Sequence, residues 1–533
     1  MLEKIMKEVK RKVKKKSLNI TTAAVIGFLL SCPMAMGEGL EITQETGEEI
    51  LFNEEIYDKA THPFEENTFE NNVYTNNMEV VNNGQFGLII EIADDFKLEI
   101  CNNNLISADN SSDADGISNS GSKIKKIENN GTISVKGANS SSGIYNIYGE
   151  IKSIVNTGVI IVETTADSQS SYGIYNISAE IGDIVNDGTI SAEAKGNNSN
   201  GYGMYNRVYN DRGTIKNILN NGLILGRGRN NGLGIRNTGT ITNIENIGII
   251  YGSANNQASG IHNESTGIIG KINNSGKIMG VLSNQARGIF NTGTITDIKN
   301  TGIIYGNGNR GLGIWNQGKI ENIENKGLII GIGNSGEAYG IQNNLTSSML
   351  MKNIKNTGKI VGISSNSISA GISTNNPGIE PIDFIDNLGM IIGKAKSSGS
   401  GTGFYSESSS GDNINNFGII YGSSNTLKAS SSGKIKGNNY GLLVGGLDNV
   451  TIENAGSGDT NIKNYGIVFT EAGSSYTISH RYTGGEEVTV DMFSKKREMK
   501  VKNASTSTSG SESISGNTYE NYILNGITDT LKV

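Results

Sequence analysis

The stretch that decides the fold is GIFNTGTITDIKNTGIIYG, residues 288–306. Single isoleucines stand among polar residues, and two of the short runs end in Asn-Thr-Gly. Runs rich in Ile and Thr suit β-strands, whereas Asn and Gly take positive φ at low cost and suit turns. No helical period is sustained, and a helix this rich in Gly would be unfavourable. The stretch therefore predicts three short strands joined by turns.

The same phrase recurs along most of the 533-residue chain. Aligned on I-x-N-x-G-x-I, its Asn falls at intervals of 25 to 34 residues, about 28 on average. A second phrase, G-I-x-N, precedes the first in most units. The variable part lies between IIYG and the next GI, where we expect a loop. A repeat of this length indicates a solenoid whose units bury their isoleucines against the units above and below.

We predict an all-β fold, a right-handed parallel β-helix (β-solenoid), with one three-sided coil per 28-residue repeat. GIFN, GTITDIKN and GIIYG would form the three sides. Parallel crossover connections favour right-handed winding. Two smaller coils per repeat are the alternative. With one coil per repeat, about thirteen units give a rod of about 60 Å.

The repeated Asn of the first phrase is predicted to be structural rather than ligand-binding. An Asn at the same turn of each coil can donate its side-chain NH₂ to the Oδ1 of the next Asn, which makes a ladder. The side chain can also bond to turn backbone that would otherwise be unsatisfied. The predicted ladder consists of Asn129, Asn156, Asn186, Asn220, Asn246, Asn274, Asn300, Asn325, Asn356, Asn387 and Asn416.

Aromatic residues recur at two positions of the repeat, one in GIYN or GMYN and one in IIYG. If the neighbouring Ile points inward, strand alternation directs these rings outward, in stripes along the rod. Two interpretations stay open: stacking between coils that stabilises the surface, and a platform for sugars or a host protein. The candidate contact residues are Tyr145, Tyr175, Tyr205, Phe290 and Trp315 in the first position, and Tyr251, Tyr305 and Tyr421 in the second.

Composition and spacing argue against several kinds of chemistry. A net charge of -7 is mild for this length and gives no reason to expect a nucleic-acid partner. The three histidines, His62, His262 and His480, are far apart and form no ligand pair. The acidic residues form no spacing typical of a glycan-cleaving site. We therefore predict no catalytic, cofactor-binding or metal-binding residue and no enzymatic activity.

Residues 1–37 are predicted to be an extended secretory signal peptide. A basic segment is followed by a mostly apolar run at residues 20–30, which is too short to span a bilayer. A membrane-anchored N-terminus is one alternative. Lipidation of Cys32 is another, because LLSC partly matches a lipoprotein cleavage box. The segment KRKVKKKSLNITTAAVIGFLL, residues 10–30, resembles the extended N-terminal segment of autotransporter-type surface proteins of fusobacteria.

The Gly-, Asn- and Ile-rich repeat likewise resembles the passenger domains of autotransporters (type V secretion). This resemblance implies export to the cell surface, outer membrane or extracellular space through an outer-membrane translocator barrel. It also implies a virulence role in adhesion to a surface protein or glycan of host cells or bacteria. We therefore expect a secreted adhesin or structural stalk. A glycan-cleaving β-helix enzyme and a lipid-anchored surface protein are the alternatives.

The expected domains follow from where the repeat begins and ends. Residues 38–115 are predicted to be an N-terminal capping segment, 116–469 the solenoid repeats, and 470–533 an irregular β continuation with a Ser-rich linker. Within the last segment, residues 475–493 alternate like a hairpin. Barrel-type strands do not follow before Val533. The chain is thus expected to be an N-terminal piece of a longer protein or a truncated member.

Overall fold

The computed structural model describes residues 98–445, apart from 210–212, 345–350, 376–380, 397 and 431–432, together with separate strands on either side. The predicted signal peptide and Cys32 lie outside the described residues. All regular structure in the described part is β-strand, and it contains no helix that could cross a membrane.

Each turn of the chain adds one strand to each of three parallel sheets. We call them sheet 1, with the G-I-x-N strands, sheet 2, with the TITDIKN strands, and sheet 3, with the IIYG strands. Between Ala114 and Gly422 the chain makes about 11 turns. The predicted right-handed parallel β-helix is confirmed. Because Ile298 pairs with Ile323 of the next repeat, one repeat is one coil and not two.

The strands of the three sheets have the following bounds. In spatial order, sheet 1 contains Leu51–Asn53, Leu40–Gln44, Phe86–Ile92, Ala114–Ser120, Ser141–Ile147, Ser170–Ile177, Asn200–Arg207, Asn231–Asn237, Gln257–Asn263, Gln285–Asn291, Arg310–Asn316, Ala338–Asn343, Ser369–Thr374, Gly401–Ser406, Asn425–Ala429 and Ile452–Asn454. Sheet 2 contains Thr68–Glu70, Val73–Asn76, Glu99–Asn102, Lys123–Ile124, Lys126–Asn129, Glu150–Asn156, Glu180–Asn186, Thr214–Asn220, Thr240–Asn246, Ile268–Asn274, Thr294–Asn300, Lys319–Asn325, Met351–Asn356, Phe384–Asn387, Asp412–Asn416, Lys434–Asn439 and Asp459–Asn464. Sheet 3 contains Val80–Asn82, Leu105–Asn110, Thr132–Gly137, Val159–Thr164, Thr189–Ala194, Leu223–Arg227, Ile249–Ser253, Lys277–Val281, Ile303–Gly308, Leu328–Gly333, Lys359–Ser364, Met390–Ala395, Ile419–Gly422, Leu442–Gly445 and Ile467–Thr470.

Stacked isoleucines fill the interior of the coils. In the stretch 288–306, Ile289, Ile295, Ile298 and Ile304 are all fully buried in one continuous core. Burying a side chain of this size stabilises the fold by about 2 kcal/mol. Each isoleucine is covered by its copies in the coils above and below, so no coil has a core of its own.

The Gly of G-I-x-N is required by the core and not by a turn. A Cβ on Gly288 would lie 2.5 Å from Ile304 Cγ2 and 2.6 Å from the carbonyl oxygen of Gly313. Since Ile289 also belongs to the core, two successive residues face inward, as at a β-bulge. The residues on either side of this pair, Arg287 and Phe290, therefore point away from the isoleucine core on the same side of sheet 1.

The solenoid begins before the predicted boundary at residue 116. Strands Phe86–Ile92, Glu99–Asn102 and Leu105–Asn110 already pair in parallel with the first predicted coil. The sequence pattern missed this coil because Ile90 stands where the next coil has Asn119. Ahead of it, antiparallel strands Leu51–Asn53 and Thr68–Glu70 add to the edges of sheets 1 and 2. Strands Leu40–Gln44, Val73–Asn76 and Val80–Asn82 also pair in parallel with this coil. Solenoid pairing thus extends into the segment predicted as a cap, and the capping role itself stays a prediction.

The predicted hairpin within 475–493 does not form. Tyr476–His480 pairs with Gly510–Ile514, and Val488–Asp491 pairs with Glu498–Val501, both antiparallel. Alternation identified both strands but carries no information on which strand is the partner.

Length variation occurs at a corner where it was not predicted. Between sheets 1 and 2, the connection has two residues at 292–293 but six at 208–213. The variable loops predicted between sheets 3 and 1 are present as well, for example at 165–169. Insertions are therefore tolerated at two of the three corners.

Candidate interaction surface

A ladder of buried Asn side chains follows the corner between sheets 2 and 3. Asn300 Nδ2 donates to Asn325 Oδ1 at 2.8 Å and to the carbonyl oxygens of Gly302 and Leu328 at 3.3 Å. Asn300 Oδ1 accepts from Asn274 Nδ2 at 2.7 Å. All eleven Asn predicted for the ladder lie in this column, and it extends to Asn76, Asn102 and Asn439 with rungs of 2.6–2.8 Å.

A second ladder, not predicted as one, follows the corner between sheets 1 and 2. Its rungs measure 2.7–2.9 Å. The Asn of G-I-x-N was the sequence signal for it, because that Asn recurs with the same period. The ladder consists of Asn119, Asn146, Asn176, Asn206, Asn237, Asn263, Asn291, Asn316 and Asn343.

The second ladder ends on a buried carboxylate. In the next two coils Thr374 and Ser406 replace Asn, and their hydroxyls donate to Asp412 Oδ2 at 2.5 and 2.6 Å. The backbone N–H of Ile382 donates to the other carboxylate oxygen at 2.8 Å. Burial raises the pKa of Asp412 despite these three donors. The side chains of both ladders are thus hydrogen-bonded inside the protein. Contacts with a partner therefore have to come from residues on the outer surface.

The outer side of sheet 1 carries stacked tyrosines. Tyr175 lies against Tyr205, with ring centroids 5.3 Å apart and planes at 8°, and Tyr145 packs on Tyr175 at 5.7 Å. Tyr172 stacks on Tyr175 at 4.0 Å. Tyr202 packs on the rings of Tyr172 and Tyr205. Sequence reasoning missed Tyr172 and Tyr202, because only the bulge at the following Gly turns them outward. The signals for them were Y-G-I-Y at residues 172–175 and Y-G-M-Y at residues 202–205.

The outward rings are less exposed than the sequence suggested. Tyr175, Tyr205, Phe290 and Trp315 each keep less than a tenth of their surface accessible. Phe290 stacks on Trp315 at 4.7 Å. The contacts support the first interpretation, stacking between coils.

Arginines interleave with the rings further along the same sheet. The Arg236 guanidinium lies 4.5 Å from the ring centre of Tyr205, donates to the Tyr202 hydroxyl at 2.9 Å and pairs with Glu264 at 2.7 Å. In the next coil His262 stacks on Phe290. Burial lowers the pKa of His262 to about 3, with Arg287 and Arg236 adding to the shift. His262 is therefore neutral at physiological pH.

Arg287 is the least solvated of these cations. Its guanidinium lies 4.3 Å from the ring centre of Phe290 and 4.4 Å from that of Trp315. It donates to the side-chain carbonyls of Gln257, at 3.3 Å, and Gln285. Among the described residues it has no carboxylate partner within ion-pair distance. Burial lowers the pKa of Arg287 to about 9, and Arg310 contributes.

Three buried polar atoms around Arg287 have no hydrogen-bond partner: Arg287 Nε, Trp315 Nε1 and Ser259 Oγ. Leaving such a group unpaired costs about 1–3 kcal/mol. All three can donate a proton. We name the outer side of sheet 1 the aromatic–arginine face; it comprises Tyr145, Tyr172, Tyr175, Tyr202, Tyr205, Arg236, His262, Arg287, Phe290 and Trp315.

The remaining predicted aromatics lie on a different side. Tyr251, Tyr305 and Tyr421 are half-buried on the outside of sheet 3. Tyr305 and Tyr421 pack against a cluster that includes Ile330 and Ile392. The structure thus places the eight predicted aromatics on two sheets, one for each of the two positions in the repeat.

Reactive groups are sparse in the described part of the chain. It contains no group of three or more His, Cys, Asp and Glu placed to hold a metal ion. Cys101 is a free thiol whose pKa is raised by burial. Asp115 is buried at the start of the aromatic–arginine face, and burial raises its pKa to about 7.

No protein-family model matches the chain, and it resembles no characterised protein or solved structure at a significant level. Its function is therefore inferred from its own geometry. That geometry combines a continuous core of stacked isoleucines, two Asn ladders and the aromatic–arginine face.

Proposed function

We propose that the protein is a cell-surface stalk that also acts as an adhesin. The observation that carries this proposal is the unbroken stack of coils, with the isoleucine core and the ladder that contains Asn300 running continuously through it. About 11 coils spaced about 4.8 Å apart extend for about 50 Å. A rod of this kind holds whatever it carries at a fixed distance from its attachment point.

The aromatic–arginine face is the surface that we assign to adhesion. Aromatic rings and Arg dominate the energetics of protein interfaces, and here they recur in coil after coil. The Arg287 guanidinium lies within 4.4 Å of the ring centres of both Phe290 and Trp315 on this face. A surface protein or glycan of a host cell or another bacterium is the expected partner. The resemblance of residues 10–30 adds export by a signal peptide and a translocator barrel as secretion partner.

Surface location is tested by treating intact source cells with trypsin and detecting the protein with antibodies. Loss of the full-length signal, with an internal cytoplasmic protein spared, is the expected result; protection until the cells are lysed contradicts surface exposure. Mass spectrometry of the mature N-terminus separates the two export routes. A new N-terminus near Glu38 indicates signal cleavage, and a diacylated Cys32 indicates lipid anchoring.

Adhesion is tested with the purified protein coupled to beads. Beads that carry the protein should bind host or bacterial cells above the level of beads that carry albumin. Trp315→Ala should reduce the binding, while Thr301→Ala, at an exposed turn on another corner, should leave it unchanged. Equal binding by protein-coated and albumin-coated beads would leave a stalk without adhesive function.

A further inference from the structure

The corner between sheets 1 and 2 is built differently in three successive early coils. From Asn291 to the next strand at Thr294 the chain takes three steps, but from Asn146 to Glu150 it takes four. The same longer connection occurs in the coils before and after. It places Gly121, Tyr148 and Ser178 in the left-handed region, with φ of 76°, 54° and 48°.

Two of these three residues have side chains, and the strain has a cost. A non-glycine residue held at positive φ costs about 1–3 kcal/mol, and such residues cluster at ligand-binding sites. The chain accepts this cost in adjacent coils, at Tyr148 and Ser178. The ring of Tyr148 remains 55% exposed, so burial of the ring does not offset the strain.

The longer connections open a cleft of about 460 Å³ along this corner. Tyr148 and Ser178 line it on one side, and Lys123, Glu150, Glu180 and Thr214, the first residues of their sheet 2 strands, line the other. Its volume lies in the range of small-molecule sites. The connections at 292–293 and 317–318 are shorter and lack the extra residue.

The lining is polar and carries more acidic than basic groups. Glu150 and Glu180 are register partners in adjacent coils, and Lys123 precedes Glu150 in the same column. Glu180 also pairs with Lys216 at 2.8 Å. Carboxylates are hydrogen-bond acceptors that suit hydroxyl donors, and they disfavour an anionic ligand. An exposed ring beside them offers an apolar surface with a polar tip.

We propose that this cleft, the corner cleft, binds a neutral saccharide unit. The ring of Tyr148 stacks on the apolar face of the sugar, and the carboxylates of Glu150 and Glu180 accept hydrogen bonds from its hydroxyls. The inference rests on the proposed adhesin function, because a sugar on an opposing surface is then what the protein grips. It places a second binding site at the corner beside Tyr145, where the aromatic–arginine face begins.

The test uses the purified full-length protein and isothermal titration calorimetry. The probes are neutral oligosaccharides ending in glucose, galactose or N-acetylhexosamine, each compared with its sialylated or sulfated form. We expect at least one neutral probe to bind, and its anionic form to bind about tenfold more weakly. Glu150→Gln should reduce the affinity for the neutral probe and should also reduce the ratio of the affinity for the neutral probe to that for the anionic probe.

Tyr148→Gly is the sharpest variant, because glycine accepts positive φ and the fold is not endangered. It should weaken binding of the neutral probe about tenfold. Leu282→Gly is the matched control: Leu282 also has positive φ, at 59°, and an exposed side chain, but lies at another corner. Its affinity should equal that of the wild-type protein.

Several results would overturn the proposal. They are failure of every neutral probe to bind, preference for the anionic probes, equal affinity of Tyr148→Gly and wild type, or new reducing ends that show the sugar is cleaved. The outcome is separate from the proposed function. If bead adhesion survives Tyr148→Gly, the corner cleft has no part in adhesion, but the adhesin function stands. If the protein binds sugar but is absent from the cell surface, the corner cleft stands and the adhesin function fails.

Discussion

Asn300→Ala tests the energetic role of the ladder. Asn300 is fully buried and occupies one rung in the middle of the column. The substitution removes its three donated bonds and the bond it accepts from Asn274. Asn325 Oδ1 loses the donor at 2.8 Å, whereas Asn274 Nδ2 keeps backbone carbonyls at 3.2 and 3.4 Å.

The expected cost follows from counting those groups. A buried acceptor without a partner costs about 1–3 kcal/mol, and each lost hydrogen bond adds about 0.5–1.5 kcal/mol. One orphaned acceptor, Asn325 Oδ1, and the two lost ladder bonds to Asn274 and Asn325 together cost about 2–6 kcal/mol, which is concentrated in the two coils that share the rung. Coils of a solenoid contact only their neighbours, so a single unfolding midpoint for the whole chain is the wrong observable.

Hydrogen exchange with mass spectrometry is the appropriate assay, because it reports opening locally. Amides of residues 288–333 should exchange about 30-fold faster or more in the variant, with residues 141–194 unchanged. Thr301→Ala, the adjacent exposed turn residue, is the control and should change exchange little. If Asn300→Ala accelerates exchange no more than Thr301→Ala, the ladder does not stabilise the coils.

Three further predictions concern other parts of the solenoid. Gly288→Ala should destabilise its coil by about 1–3 kcal/mol, because the new methyl group overlaps Ile304 Cγ2; unchanged local exchange would contradict the bulge. The pKa of Asp115 is about 7 in the folded protein, against an ordinary value of 3.8 for an aspartate. The stability that this group contributes is therefore fully present below pH 3.8, where it is protonated, and is lost as the pH rises to about 7. Asp115→Asn should therefore be more stable than wild type above pH 7, by up to about 4 kcal/mol, and parallel profiles of stability against pH would refute this. Arg287→Met should be neutral or stabilising, since a buried charge without a carboxylate partner is costly, yet should weaken bead adhesion; a loss of more than about 2 kcal/mol would show that the guanidinium holds the fold together.

The fold was predictable because its signal is repeated. Isoleucine, Asn and Gly return with one period, and stacking follows whenever equivalent residues of successive units meet. The ladder at Asn300 could be predicted for the same reason. The coil at Phe86–Ile92 could not, since it keeps the geometry while Ile90 replaces the Asn that marks the phrase.

The outer surface was less predictable, because it depends on small departures from strand alternation. The bulge at Gly173 turns Tyr172 outward beside Tyr175, which a strict period of two does not anticipate. The corner cleft depends on one extra residue per connection and on positive φ at Tyr148. Neither feature is marked by a change in the amino-acid composition of the repeat, so the sequence pattern does not predict it.

The central claim, one coil per repeat, is tested most directly by a distance between spin labels. Thr157 and Thr357 are exposed and occupy the same turn position, seven coils apart by register. Both are changed to Cys and labelled in a chain whose natural cysteines, Cys32 and Cys101, are replaced by Ser. Double electron–electron resonance should give about 34 Å. A distance near 67 Å, the value for two smaller coils per repeat at about 4.8 Å each, would contradict the account.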